Sequence, residues 1–210
     1  IDIRKPRPIL APINPRPTLD YTKSSELNYR TGSTLTFRPT RPLSEARVAV
    51  VHEWLYTYAG AEKVLEAILS LFPQADLFSL INFLPPGQRD FIGNRKVHTS
   101  FLQKMPMVRK KHQYYLPLMP LAMERFDFSS YDIVISSSYA VSKGALTGPD
   151  QLHLCYCHSP VRYAWDLQHQ YLNQWRMNKG IRGLIATDIL HRVRIWDHVT
   201  SNGVDRFFAN

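Results

Sequence analysis

The chain has 210 residues, of which 44% are hydrophobic and 20% are charged, a composition typical of a soluble globular protein with one sizeable domain. Its formal net charge of +9 favours anionic partners such as nucleotides, phosphates and lipid headgroups. No apolar run reaches the roughly 18–20 residues of a membrane span and no secretory h-region is seen, so we expect a cytoplasmic protein.

Residues 1–44 are rich in proline and in positive charge. They hold seven of the 15 prolines, and eight basic but only three acidic side chains. Apolar periodicity is absent, so this segment cannot bury enough surface to offset its ordering entropy. We expect a disordered, partly polyproline-like arm, either a linker or a tether to an anionic surface, ahead of a folded domain at 45–210.

From residue 47 onward, β-branched apolar runs alternate with segments of helical periodicity. Arg47–His52 is a continuous apolar run of the kind found in buried parallel strands. The other predicted strands are 75–81, 97–102, 132–138, 152–158 and 204–209. Helices are predicted at 59–72, at 108–126 with a break at Pro117 and Pro120, and at 181–201. This alternation predicts an α/β fold, a Rossmann-like and mostly parallel sheet flanked by helices.

The densest group of candidate site residues follows the predicted strand at 152–158. That strand ends at His158, and Arg162, Tyr163, Trp165 and Asp166 come soon after it. In open α/β sheets, ligands bind in the crevice beyond the carboxyl ends of the strands, where an imidazole can transfer protons near neutral pH. We therefore predict that His158 faces a ligand crevice; a purely structural histidine is the alternative.

Two loops at predicted strand ends are candidate anion sites. Gly60 and Ala61 open the first helix, and small residues there let a phosphate reach the helix N-terminus; an ordinary β–α turn is the alternative. Ser138, with the two serines before it and Lys143 after it, offers donors to a phosphate or a sugar. Serines that cap backbone groups are the alternative there.

The sequence gives less support to thiol chemistry, metal binding, nucleic-acid binding or membrane binding. Cys155 and Cys157 lie two residues apart on one predicted strand, so we expect reduced thiols, and no cluster predicts a metal site. No nucleic-acid-binding motif is present. Basic side chains occur among aromatic and apolar ones at 104–116 and 182–198. This pattern is typical either of a surface that lies on an anionic membrane or of a solvated helix face.

Several short motifs together resemble the amino-terminal half of the family 4 (group 1) glycosyltransferases. The first is Val48–Leu55 followed by Gly60–Leu65, and the resemblance extends to the end of the chain. The further motifs are 72–78, 99–103, 115–120, 131–138, 141–144, 148–151 and 157–166. Residues 1–44 lie outside the resemblance.

The resemblance implies a GT-B enzyme, in which two Rossmann-like domains face each other across a cleft. It implies retaining transfer of a hexose, with mannose favoured by the subgroup, from a nucleotide-sugar to a lipid-linked or polysaccharide acceptor. No metal or other cofactor is implied. The localisation implied is cytoplasmic, with a peripheral position on the inner face of the membrane.

The resemblance also assigns roles to individual residues. His158 matches the histidine that lies near the reacting sugar. Gly60 and Ala61 match the loop that contacts the donor diphosphate, although Ala59 stands where relatives carry a second glycine. The residues expected to shape the acceptor site are Arg162, Tyr163, Trp165, Asp166, Ser138 and Lys143.

Only the acceptor-side half of such an enzyme is matched. The chain begins with Ile1 rather than Met, and it ends at Asn210, where the family's crossover to the nucleotide-binding domain begins. We therefore expect a fragment that does not transfer sugar by itself. The alternative is a non-catalytic module of the same fold that binds an anionic membrane or a partner protein. A nicotinamide-dependent oxidoreductase is disfavoured because the G-x-G-x-x-G motif is missing.

Overall fold

The computed structural model of the protein describes residues 45–209, which form a parallel β-sheet flanked by helices. The strands are β1 (Val48–Leu55), β2 (Asp76–Asn82), β3 (Val97–Thr99), β4 (Ile133–Ser138), β5 (Leu152–Cys157) and β6 (Arg206–Ala209). All neighbouring strands are parallel, in the order β3-β2-β1-β4-β5-β6. The predicted Rossmann-like α/β fold is confirmed, whereas the arm predicted for residues 1–44 lies outside the described residues.

The α-helices are α1 (Gly60–Leu71), α2 (Val108–Lys111), α3 (Met119–Glu124), α4 (Gln168–Gln174) and α5 (Gly180–Thr200). The elements differ from the predicted pattern at β3 and at α4. The break expected at Pro117 is present as a 3₁₀ segment, His112–Leu118, between α2 and α3. Strand β3 ends earlier than predicted because the Ser100 hydroxyl accepts the N–H of Leu102 and starts a 3₁₀ turn. Helix α4 was not predicted, since it is polar and buries only Leu172.

Strand β1 separates two layers of the core, because successive side chains of a strand point to opposite faces of the sheet. Val50 packs in the layer that contains α1, and Val51 packs in the layer that contains α3. His52 continues the alternation and contacts Glu62 of α1, so it lies on the α1 face, and its neighbour Glu53 lies on the opposite face. The strict alternation ends beyond them, since Trp54 packs with the layer of Val51 and Leu55 with the layer of Val50.

The connections of the sheet diverge between β1 and β4. From β1 the chain passes through α1 to β2 on one side, and β4, β5 and β6 follow one another on the other side. In sheets of this order, a crevice opens beyond the carboxyl ends of the two central strands. The register pairs His52 of β1 with Ser137 of β4 near that end. The topology therefore places these two residues at the carboxyl edge of the sheet, where they are fully buried.

Glu53 is fully buried, with 0% of its surface exposed, and it fixes the turn that follows β4. One carboxylate oxygen, Oε1, accepts six hydrogen bonds at 2.9–3.1 Å. The donors are the backbone N–H groups of Tyr139, Ala140, Val141 and Ser142 and the hydroxyls of Ser138 and Ser142. The Ser142 hydroxyl shares its single proton with the carbonyl oxygen of Ser137, also at 3.0 Å. Hydrogen bonds to an ionised group are about twice as strong as neutral ones, so this carboxylate holds the turn rigidly.

A buried ion pair docks α5 against the same turn. The Nζ of Lys143 lies 2.7 Å from Oδ1 of Asp197, and both side chains are almost completely buried. The indole N–H of Trp165 donates to the other oxygen of Asp197 at 3.0 Å. Gly144 permits the close approach of α5, since a Cβ at this position would lie 2.2 Å from the ring of Trp196. The end of β4 is thus fixed from two directions.

His153 is a further buried polar residue, on β5. Its Nδ1 lies 3.2 Å from the carbonyl oxygen of Gly203, and its Nε2 lies 2.9 Å from the hydroxyl of Ser136. Because a carbonyl only accepts, Nδ1 carries the proton and Nε2 accepts from Ser136. Burial lowers the pKa of His153 and outweighs the opposing influence of the Gly203 carbonyl and of Asp205. The fold therefore keeps this imidazole neutral.

Replacing Glu53 is expected to destabilise the domain strongly. In Glu53→Ala the six donors lose their acceptor, and we expect the free energy of unfolding to fall by about 3–5 kcal/mol. Glu53→Gln keeps a carbonyl oxygen of the same shape, so the loss should be about 1–3 kcal/mol. Urea unfolding followed by far-UV circular dichroism measures both, with Glu45→Gln as the control on an exposed carboxylate. Unchanged stability of Glu53→Ala would refute this structural role.

The domain is expected to lose stability as the pH falls below 6.5, the ordinary pKa of histidine. In that range the unfolded chain binds a proton at His153 and the folded chain does not, so acidification favours unfolding. One such group contributes at most about 1.4 kcal/mol per pH unit. Urea unfolding at about pH 7.5 and about pH 5.5 measures this dependence.

His153→Asn should weaken the dependence of stability on pH, because the titrating imidazole is gone. Ser136→Ala should lower stability at both pH values but keep the dependence, because the imidazole remains. If His153→Asn and the unmodified protein lost stability equally on acidification, His153 would not be the group responsible.

Candidate functional site

Three side chains form a hydrogen-bonded chain at the carboxyl edge of the sheet. The hydroxyl of Ser137 lies 3.1 Å from Nδ1 of His52 and 2.8 Å from Nε2 of His158. His52 and Ser137 are fully buried, and His158 is half-buried just beyond β5. His158 therefore lies at the carboxyl edge of the sheet with Nε2 held by the protein, while its Nδ1 makes no hydrogen bond within residues 45–209.

The surroundings of His158 favour its neutral form. Burial lowers its pKa, and the nearby His52 lowers it further, while the carboxylates of Glu53 and Glu62 act in the opposite direction without outweighing the burial. A neutral imidazole donates from one nitrogen and accepts at the other. At neutral pH, His158 can thus either donate to a ligand hydroxyl or accept from it.

Glu62 joins the chain of histidines from the first turn of α1. Its Oε1 lies 3.6 Å from Nε2 of His52, and its Oε2 accepts the backbone N–H of Ala59 at 3.0 Å. Burial alone would raise the pKa of Glu62. The nearby imidazole of His52 and the hydrogen bonds from the N–H groups of Glu62 and Ala59 outweigh burial, so the pKa is lowered. The result is a carboxylate held beside a buried imidazole.

Gly60 and Ala61 occupy the first turn of α1, next to this carboxylate. Nothing lies within 4 Å of the point where a Cβ of Gly60 would stand, so the space above the turn is open. The N-terminus of α1 is thus accessible, as the diphosphate hypothesis requires. That hypothesis stays a prediction.

The Ser138 and Lys143 side chains are both engaged within the fold. The Ser138 hydroxyl donates to Glu53, and the Lys143 ammonium pairs with Asp197. The Ser138 oxygen also accepts the backbone N–H of Lys143 at 3.3 Å, so the turn uses its polar groups internally. A ligand that bound either side chain would have to replace a buried partner.

The four residues after His158 do not converge on one point. Arg162 and Asp166 form an exposed ion pair with 3.6 Å between Nε and Oδ2. Trp165 exposes 47% of its surface while its N–H binds Asp197. Tyr163 alone among them lines the large cavity described next. Their roles at an acceptor site stay predictions.

An apolar cavity of about 600 Å³ lies between the segment after α2 and helices α4 and α5. Aromatic and aliphatic side chains form most of its wall. They include Trp54, Leu116, Tyr171, Trp175, Ile185 and Leu190, with His112 and Arg182 as charged or titratable members. Cavities of this size with a few polar groups are typical ligand sites.

Tyr139 connects this cavity with the histidine chain. Its ring lies edge-on to those of Trp54, His52 and His158, with centroid distances of 5.0, 6.1 and 6.0 Å. Burial raises the pKa of Tyr139 far above its ordinary value, so the phenol keeps its proton. Tyr139 therefore links both histidines to Trp54, which lines the apolar cavity.

Sequence reasoning singled out His158 but gave no role to His52, Ser137 and Glu62 individually. His52 and the serines stand at the ends of two predicted strands, and this position could have indicated a shared site. The sequence does not reveal the register between β1 and β4, and only the pairing of His52 with Ser137 shows that the two residues meet.

Among residues 45–209, no group of histidine, cysteine and acidic side chains is arranged to hold a metal ion. Cys155 is a buried free thiol whose pKa is raised to about 12 by burial, and Cys157 is also free. Within the same range, no helix has both the length and the apolar character needed to cross a membrane.

No family model, curated protein or solved structure matches the chain. The resemblance to the glycosyltransferases therefore depends on the short motifs in the sequence.

Proposed function

We propose that the protein is the acceptor-side half of a retaining glycosyltransferase that moves a hexose, with mannose favoured, from a nucleotide-sugar to a lipid-linked or polysaccharide acceptor. The observation that carries this proposal is the position of His158. His158 follows β5 at the carboxyl edge of the sheet, where its Nε2 contacts Ser137 and, through Ser137, His52. Ligands of open α/β sheets bind beyond this edge. The motif resemblance supports the same reading.

In this function, His158 uses Nδ1 to hold a hydroxyl of the transferred sugar or of the acceptor. A hydrogen bond to a reacting group accelerates transfer only if it is stronger in the transition state than in the ground state. A rigid imidazole meets that requirement better than a mobile one, and Ser137 restrains this ring at 2.8 Å. The N-terminus of α1, with Gly60 and Ala61, is the candidate contact for the diphosphate.

The apolar cavity favours a lipid-linked acceptor over a free polysaccharide. Its wall is largely aromatic and aliphatic, which suits a hydrocarbon chain rather than hydroxyl groups. Exposed Arg182 supplies a positive charge that a lipid phosphate can approach. Tyr139 then separates the lipid from the sugar end at His158.

Replacing His158 is expected to lower the rate of sugar transfer by at least about tenfold, which corresponds to the loss of one transition-state hydrogen bond. The measurement is transfer from radiolabelled nucleotide-sugars by the enzyme encoded in the complete reading frame, with His158→Ala compared against the unmodified protein. Polyprenyl diphosphate-sugars and soluble oligosaccharides serve as the two acceptor classes.

His169→Ala is the matched control, because His169 is an exposed histidine on α4. It should leave the rate unchanged. A normal rate in His158→Ala would remove His158 from the mechanism. Absence of transfer from any nucleotide-sugar by the complete enzyme would contradict the proposed function itself.

A second candidate function is binding to an anionic membrane, and one observation favours it. Exposed apolar and exposed basic side chains occur together in two segments, 104–114 and 181–185, which also contribute Tyr114, Arg182 and Ile185 to the wall of the cavity. The apolar members are Met107, Tyr114, Ile181, Leu184 and Ile185, and the basic members are Lys104, Arg109, Lys110, Lys111 and Arg182. Surfaces that combine these two features bind the interface of anionic bilayers.

The protein is therefore expected to co-sediment with vesicles of anionic phospholipid and to be released as the salt concentration rises. Lys110→Glu/Lys111→Glu should weaken binding about tenfold or more, since each basic residue near the surface contributes about 1 kcal/mol. Lys63→Glu/Lys96→Glu changes the net charge equally at exposed sites on α1 and before β3, and it should bind as the unmodified protein does. Equal weakening by both pairs would show that only net charge matters and would rule out a defined membrane face.

A further inference from the structure

We infer that Glu62 determines, through His52 and Ser137, which ring nitrogen of His158 carries the proton, so that Nδ1 of His158 is a hydrogen-bond acceptor. Glu62, His52 and Ser137 are then positioning residues for His158. The use of that acceptor nitrogen by a sugar hydroxyl rests on the proposed function. The coupling itself is a property of this chain.

The chain of contacts starts at a group that can only accept. A carboxylate has no proton to donate, and Oε1 of Glu62 faces Nε2 of His52 at 3.6 Å. His52 is fully buried, and within residues 45–209 its Nε2 makes no hydrogen bond, so the carboxylate acts on this nitrogen through its charge. A lone pair directed at the carboxylate would be repelled, so an imidazole with a single proton carries it on Nε2.

Each later link follows from the single proton on the Ser137 hydroxyl. With Nε2 protonated, Nδ1 of His52 is bare and accepts that proton across 3.1 Å. The Ser137 oxygen then has only lone pairs to offer at 2.8 Å from Nε2 of His158, so Nε2 of His158 must donate. Burial keeps His158 neutral, and its remaining nitrogen, Nδ1, is therefore bare.

This arrangement makes the free nitrogen of His158 a hydrogen-bond acceptor and not a donor. A bare Nδ1 accepts from a hydroxyl group of a ligand and repels a carbonyl or phosphate oxygen. The discrimination comes from a residue on α1 that does not touch the ligand. A histidine with two freely exchanging tautomers would not discriminate in this way.

The test reads the tautomers directly, by two-bond ¹H–¹⁵N correlation spectra of the protein labelled with ¹⁵N-histidine at about pH 8. His158→Asn identifies the signals of His158. We expect the unmodified protein to show His158 protonated at Nε2 and bare at Nδ1. The opposite tautomer, or an equal mixture of the two, would overturn the inference.

Glu62→Gln provides the decisive variant, because it replaces an acceptor by a donor at one end of the chain. In the unmodified protein the backbone N–H of Ala59 donates to Oε2 at 3.0 Å. This N–H requires an acceptor, so we expect the glutamine to turn its amide oxygen towards Ala59. The amide NH₂ then faces His52 and donates to Nε2. Every link reverses, and the tautomer ratio of His158 should invert by at least about tenfold, the equilibrium effect of one buried hydrogen bond. An unchanged ratio at His158 would refute the coupling.

Ser137→Ala removes the bridging hydroxyl and serves as the second variant. In this background, Glu62→Gln should change the spectrum of His52 but not that of His158. Ser136→Ala is the matched control, since its hydroxyl contacts His153 instead, and only the His153 signals should move. If Glu62→Gln still inverted His158 without Ser137, the proposed route would be wrong. None of these measurements requires sugar transfer, so failure of the proposed function is distinguishable from failure of the coupling.

Discussion

The architecture of the site depends on a buried negative charge that is neutralised by backbone dipoles instead of a cation. Glu53 reaches across from β1 and accepts six hydrogen bonds on one oxygen from the turn after β4. An unpaired buried carboxylate would cost several kcal/mol, so the turn and the carboxylate each require the other. The same turn carries Lys143, whose ion pair with Asp197 holds α5 in place. One side chain on a central strand thus fixes both the end of β4 and the helix that walls the cavity.

Because side chains alternate along a β-strand, the residues that hold the fold and the residues of the candidate site lie on opposite faces of the sheet. His52 and Glu53 are adjacent in sequence and point to opposite faces of the sheet. Glu53 holds the turn on one face, while His52 contacts Ser137 and Glu62 on the other. Ser137 and Ser138 divide in the same way on β4, since Ser137 bonds the histidines and Ser138 bonds Glu53. A shift of register by one residue would exchange these roles and destroy both networks.

The sequence carried enough information for the fold but not for the polar networks. The apolar run at the start of β1, the periodicity of α1 and the prolines between α2 and α3 each specify a local structure by sterics or burial, and the described part of the chain agrees with them. Short polar elements escape such reasoning, as α4 did. The Ser138 and Lys143 side chains looked available to a ligand because their partners, Glu53 and Asp197, are far away in sequence. Long-range polar pairing is set by register and helix docking, which composition and spacing do not encode.

The same networks restrict where an anion can bind in the crevice. The donors of the turn after β4 are saturated by Glu53, so a phosphate there would have to displace a buried carboxylate. The N-terminus of α1 remains open above Gly60, but Glu62 places a negative charge in its first turn. A diphosphate at this helix would therefore be repelled by the carboxylate of Glu62. In the proposed function, donor binding and the orientation of His158 are consequently linked, because the carboxylate that orients His158 also borders the candidate diphosphate site.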